Sequence, residues 1–304
     1  MNSKALFLKI SGIFSFILLS TLGYAGISGP DTSGKLILAS LTKKEKPVFV
    51  TRDANVVFPE ALSGNDDQSV DYIEKFAANR REYIIRTYKK SKKYFPKVTA
   101  ILKKYNLPQE LKVLLALESA FKSNAVSKAG AVGYWQFMDE VGKEYGLKIV
   151  PQYSPEEKKQ LIKKDKLKAE ALFKTLAKQK DDRKNFNRST YAAARYLKDR
   201  GRNLDNDLLL MVASYNCGVG NVWNAIAACG KKNPDFWDIK NYLPAETRAY
   251  VMNFITLNVI FNNYDKFADN TLTLKPVKIR LDTNPQQLLN DVDESGSPAV
   301  NNKD

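Results

Sequence analysis

Histidine is absent from this chain, and cysteine occurs only at Cys217 and Cys229. The missing imidazole removes Ser-His and Cys-His nucleophile pairs and most zinc sites, so acid-base chemistry falls to Asp, Glu, Lys, Tyr or Cys. Neither a metal centre nor a cofactor is expected. The two cysteines suit a disulfide in an oxidising compartment and suit two buried free thiols equally well. Acidic residues are few: 33 Asp and Glu face 48 Lys and Arg, a formal charge of +15. Such an excess fits an anionic partner, whether nucleic acid, a lipid surface or a carboxylate-bearing polymer. Apolar residues are plentiful, 44% of 304. That suffices for one good-sized core or a core plus a small appendage, and is too much for a disordered chain.

Residues 1–25, "MNSKALFLKISGIFSFILLSTLGYA", place Lys4 and Lys9 ahead of an apolar stretch from Ile10 to Leu22 and end on Gly23-Tyr24-Ala25. This is the layout of a secretory signal peptide cleaved after Ala25. The alternative is retention as a membrane anchor, since Ile10 to Gly29 approaches the roughly 20 residues that span a bilayer. Either way the remainder is exported, to the periplasm or cell envelope. Residues 26–69 read as a linker with one short extended piece at "PVFVT", and 267–304 as a largely disordered tail.

Between them the periodicity is helical. Tyr72, Ile73, Phe76, Tyr83, Ile84 and Tyr88 recur at three- and four-residue spacing over 70–95, and a second helix is expected over about 95–105. Pro108 opens "PQELKVLLALES"; "SPEEKKQLIKKDKLKAEALFKTLAKQK" begins on a Ser154 cap; "STYAAARYLKDR" offers Ser189 as a cap. "DLLLMVASYN" and "AETRAYVMNFITLNVIFNNY" complete the series. With no strand-turn-strand run before residue 270, no repeat and no βαβ alternation, the fold class is all-α.

The chemistry concentrates at "LLALESAFKSNAVSKAGAVGYWQFM". Glu118 follows a run so apolar that its helix must be surrounded by protein. A helix-end Glu is ordinarily solvated or paired with a neighbour such as Lys122. Here, desolvation and the negative end of the helix dipole both favour the protonated acid that glycoside cleavage requires. The following loop offers Gly130 and Gly133 for close backbone approach, Gln136 as a polar contact, and Tyr134, Trp135 and Phe137 as flat faces for sugar rings or, more commonly for aromatics, as core. Tyr215 and Asn216 repeat the pattern at the end of a second apolar helix. Gly218-x-Gly220 beside them lacks a preceding strand and a third glycine, which sets a phosphate loop aside.

Five blocks, "LPQELKVLLALESAF", "SKAGAVGYWQFM", "RSTYAAARYL", "LLLMVASYNCGVGNV" and "LPAETRAYV", occur in an order and spacing that resembles the lytic transglycosylase domain of the soluble-transglycosylase (SLT) type. The resemblance covers about 70–262. It implies a lysozyme-like, goose-type helical fold over 70–266, in which the lysine-rich segment 151–180 is an insertion. It also implies cleavage of the β-1,4 bond between N-acetylmuramic acid and N-acetylglucosamine in peptidoglycan. The family's catalytic acid falls on Glu118. Its substrate-binding positions fall on Ser127, Gln136, Met138, Tyr215, Asn216, Glu246 and Tyr250, with Tyr134 standing where relatives carry Leu. The product would be a 1,6-anhydromuramic end. A goose-type muramidase would hydrolyse the same bond with water, and a wall-binding protein without activity would keep the fold alone. Peptidoglycan strands are then the expected partner, with the anionic membrane surface as a second and nucleic acid excluded by export. The protein is expected to act as a monomer.

Overall fold

Asp66 and Asp67 set their carboxylates in the first turn of a helix, where the dipole favours negative charge. From that point a computed structural model, which describes residues 48–281, is predominantly helical. The all-α expectation holds for these residues. The helices are α1 (Asp66–Asn79), α2 (Arg81–Lys104), α3 (Leu114–Ser119), α4 (Asp139–Glu144), α5 (Pro155–Lys164), α6 (Lys166–Ala177), α7 (Phe186–Asn203), α8 (Leu208–Cys217), α9 (Val219–Cys229), α10 (Phe236–Ile239), α11 (Ala245–Asn262) and α12 (Tyr264–Ala268). Two short strands, β1 (Val48–Arg52) and β2 (Val277–Leu281), pair antiparallel with Val48 opposite Leu281. Among the described residues no helix is long and apolar enough to cross a membrane.

Helix α11 is the axis of the core. Val251, Phe254, Ile255, Leu257, Val259 and Ile260 along it are fully buried, and it packs on α1, α3 and α8. Burying each such side chain contributes about 1.5–3 kcal/mol, so a helix apolar all round is stable only when enclosed.

Several boundaries differ from the sequence expectation. The break between the first two helices falls at Arg80, whose φ of −133° leaves the helical region, and not near Phe95. Arg81 marks the break by donating to the carbonyls of Phe267 and Ala268, both at 2.8 Å. Pro96 is carried inside α2, because Ile84, Val98, Ile101 and Leu102 anchor that helix on both sides of it. The cap of α7 is Asn185, whose side chain accepts from the Arg188 amide. Ser189 sits one turn inside, donating to the Asn185 carbonyl at 2.7 Å. Ser154 does cap α5, in a reciprocal box with Glu157.

Residues 48–69, read as the end of a linker, lie against the helices: Leu62 is fully buried, and the Val57 amide donates to Asn263 Oδ1 at 2.9 Å. Between β1 and α1 their apolar residues follow no helical or strand period, which is why composition made them look like a linker. Residues 267–281, read as tail, hold the end of α12 and β2. The signal or anchor at 1–25, the linker to residue 47 and the tail from 282 lie outside the described residues.

Candidate functional site

Helix α3 is only six residues long, and Leu114, Leu115, Ala116 and Ser119 in it are buried. It stops because Ala120 (φ 46°) and Phe121 (φ 64°) take the left-handed conformation in succession. Each costs a side-chain-bearing residue on the order of 1–2 kcal/mol. Packing offsets this strain: Phe121 is buried, stacks on Tyr94 with ring centroids 5.1 Å apart, and meets the Phe95 ring edge-on. Ser119 fastens the turn by donating to the Tyr134 carbonyl at 2.8 Å. Glu118 is thereby held at the end of a rod that cannot shift without disturbing the core.

Three phenols on three helices surround that carboxyl. Tyr250 of α11 donates a hydrogen bond to Glu118 Oε1. Tyr215 of α8 and Tyr196 of α7 both feel the Glu118 charge, and their rings meet edge to face 5.3 Å apart. Burial pushes the Glu118 carboxyl up to about 7, against the smaller lowering effect of the Tyr250 bond. The same burial, reinforced by Glu118, holds the Tyr215 and Tyr250 hydroxyls well above their ordinary value. These phenols therefore act as hydrogen-bond donors at any physiological pH. Tyr215 spends its proton on the Trp135 carbonyl at 2.8 Å, and the Trp135 indole donates to Thr190 Oγ1 at 3.0 Å.

Residues 125–138 form a loop pinned by isolated bridges of Val132 to Val126 and Phe137. Ser127 is exposed and closes its first turn, its Oγ accepting from the Ala131 amide at 3.0 Å. Gln136 has a φ of 49°, and its Nε2 donates to the carbonyls of Ala125 and Gly133 at 3.1 and 2.8 Å. Gly133 (φ 86°) passes so close to α7's entry that a Cβ there would lie 2.1 Å from the Arg183 carbonyl oxygen. No other residue fits. Met138 is 44% exposed at the end of this loop. Trp135 and Phe137, left open by the sequence between sugar faces and core, are core residues. Tyr134 is half-buried between Tyr94 and Phe186.

The structure thus brings Glu118, Tyr215 and Tyr250 into one cluster and ties Tyr134 to it through Ser119. Asn216 is fastened to the start of α11 by Thr247, whose hydroxyl donates to Asn216 Oδ1 at 2.8 Å. Glu246 stands exposed one residue before Thr247. The hydrogen bonds of Ser127 and Gln136 stay within the loop. Cys217 and Cys229 are both free thiols. Among the described residues no group of three His, Cys, Asp or Glu is arranged to hold a metal.

Two residues escaped the sequence reading. Tyr196 lies on an apolar helix stripe, where a tyrosine is indistinguishable from core. Arg183 is fully buried, chelated by Asp181 and bonded to Asp139 and to the carbonyls of Phe137 and Val150. Nothing in "DDRK" marks it as the clamp beneath the loop.

Residues 97–237 match the family model for the transglycosylase SLT domain. That stretch is an SLT domain. It is 30% identical over 222 residues to the membrane-bound lytic murein transglycosylase D of Escherichia coli K12, which is 72% of this chain and 41% of that protein. The chain thus spans less than half the length of that relative. Among solved structures it is similar to an inactive mutant of the lytic transglycosylase Slt from Pseudomonas aeruginosa (20% identity, 59% of this chain, 25% of that chain, TM-score 0.37). It is also similar to the 70 kDa soluble lytic transglycosylase of Escherichia coli (17% identity, 70% and 33% coverage, TM-score 0.37). The SLT match begins within α2 and ends in α10, so it contains Glu118, the loop and the Tyr215-Asn216 pair.

Proposed function

We propose that this chain is a peptidoglycan lytic transglycosylase of the cell envelope, with Glu118 as its single acid and base. The observation that carries the reading is the Glu118 carboxyl, raised to about 7 at the end of a buried helix and bonded through one oxygen only to Tyr250. The SLT domain and the name of the 30% identical relative point the same way.

Because Tyr250 donates to Oε1, the acidic proton belongs on Oε2, where it is free to meet the glycosidic oxygen. Near neutral pH a large share of the molecules carry that proton. Transfer of the proton to the bridging oxygen breaks the C1–O bond of N-acetylmuramic acid through an oxocarbenium-like state. The departing proton leaves Glu118 negative, and the Tyr250 hydrogen bond steadies that charge. Glu118 then takes the proton of the C6 hydroxyl, whose oxygen closes on C1, so no water is consumed. One carboxylate serves both steps. In this reading Ser127, Tyr134, Gln136, Met138, Asn216 and Glu246 bind the glycan, while Tyr215 and Tyr250 position the acid.

Mass spectrometry of muropeptides released from purified sacculi tests the reading. Anhydro ends are expected; products heavier by one water would replace it with a goose-type muramidase, and the absence of any product would leave wall binding alone.

A further inference from the structure

Segment 151–180 folds as a hairpin of α5 and α6 that has almost no core of its own: α5 buries no residue, and α6 buries only Ala169. Its base is nonetheless closed. The Val150 amide donates to Asp181 Oδ2 at 3.3 Å, Asp182 exchanges bonds with the Lys148 backbone, and Arg183 is locked beneath them. Tyr153 and Phe173 pack edge to face across the two arms. The hairpin is therefore a regular, capped projection on a fixed neck.

Its tip has an unusual composition. Leu167 is 79% exposed, Ile162 is 41% exposed, and Lys163, Lys164, Lys166 and Lys168 stand exposed around them. Over the whole segment nine lysines face Glu156, Glu157, Asp165 and Glu170, a net charge of +5. We propose that this tip docks on an anionic phospholipid surface, with the lysines at the headgroups and Leu167 inserted among the acyl chains. The charge selects an anionic partner, and the exposed leucine selects among anionic partners. A hydrated wall polymer offers nothing apolar for Leu167 to enter and a place in the cell envelope sets nucleic acid aside, whereas a lipid leaflet offers both layers. A second copy of the hairpin would bring like charges together. The inference rests on the proposal that the domain works in the cell envelope, but vesicle binding needs no turnover, so the two fail separately.

The test is flotation of the full chain with vesicles of phosphatidylcholine, with and without phosphatidylglycerol. Replacing the four tip lysines by glutamine is expected to lower binding to the anionic vesicles about a hundredfold or more, since each lysine near such a surface is worth roughly fivefold. Should the N-terminal segment itself hold the chain on vesicles, Leu167→Trp supplies an independent readout. Lipids brominated on their acyl chains are expected to quench the added tryptophan on anionic vesicles beyond the quenching of the wild-type chain. Absence of that extra quenching overturns the proposal. So does a lysine variant that keeps vesicle binding and loses its hold on purified sacculi. Glu118→Gln is expected to bind vesicles as the wild type does, whatever becomes of the proposed activity.

Discussion

The hairpin of α5 and α6 and the neighbourhood of Glu118 are built in opposite ways. The hairpin obeys every local rule: Ser154 and Asp165 cap its helices, Pro155 opens the first, and lysines close it. Yet it contributes little to the core. The site breaks local rules within a few residues, with Ala120, Phe121 and Gln136 all at positive φ, a six-residue helix and a desolvated carboxyl ringed by phenols. Such departures persist only where surrounding packing over-determines them. Local regularity thus marks the part that could be altered without consequence for the fold, and local strain marks the part that the rest of the molecule is organised to hold.

That contrast can be attacked from its strong end. Glu118→Gln is expected to lower muropeptide release at least about a thousandfold while far-UV circular dichroism stays unchanged. Retained turnover would remove Glu118 from the chemistry. Arg183→Ala strips the partner from buried Asp181 and is expected to cost about 3–5 kcal/mol in urea unfolding; an effect below 1 kcal/mol would mean that the clamp under the loop is dispensable.

The next test concerns pH. The folded Glu118 holds its proton up to about 7, whereas the unfolded chain releases it near 4.5. Stability contributed by that protonated group is fully present below about 4.5 and is lost as pH rises through about 7. Glu118→Gln should therefore gain on the wild type progressively across that interval, and equal stability differences at pH 5 and pH 8 would contradict the assigned burial. Tyr250→Phe removes a bond that lowers the Glu118 value, so the alkaline limb of the activity profile should move to higher pH as the rate falls about tenfold. A limb that stays in place would mean that Tyr250 does not act on the acid. The smallest effect belongs to the hairpin: Lys164→Gln should change unfolding stability by less than about 0.5 kcal/mol, and a larger change would show that the hairpin carries load.

Much of the helical layout was legible because it is written in short-range periodicity, and α8 and α11 lie close to where their apolar runs place them. The apolar run ahead of Glu118 likewise announced its enclosure. What could not be read depends on distant partners. The break at Arg80 is fastened by Arg81 on the carbonyls of Phe267 and Ala268, and Leu62 is buried by elements that come later in the chain. Trp135 and Phe137 carry the same side chains whether they face a ligand or the core; only the third dimension assigns them to the core. Tyr196 illustrates the converse, a polar tip on an apolar stripe whose neighbour Glu118 is 78 positions away.

The pairing of β1 with β2 has a mechanical consequence. Val48 and Leu281 lie opposite each other, so the two ends of the described body leave from one point of a five-residue ribbon. A molecule pulled by both ends would meet that ribbon in unzipping geometry, one cross-strand pair at a time, before any tension reached α11. The ribbon is a sacrificial link: force applied along the chain would open it first and leave the geometry around Glu118 intact.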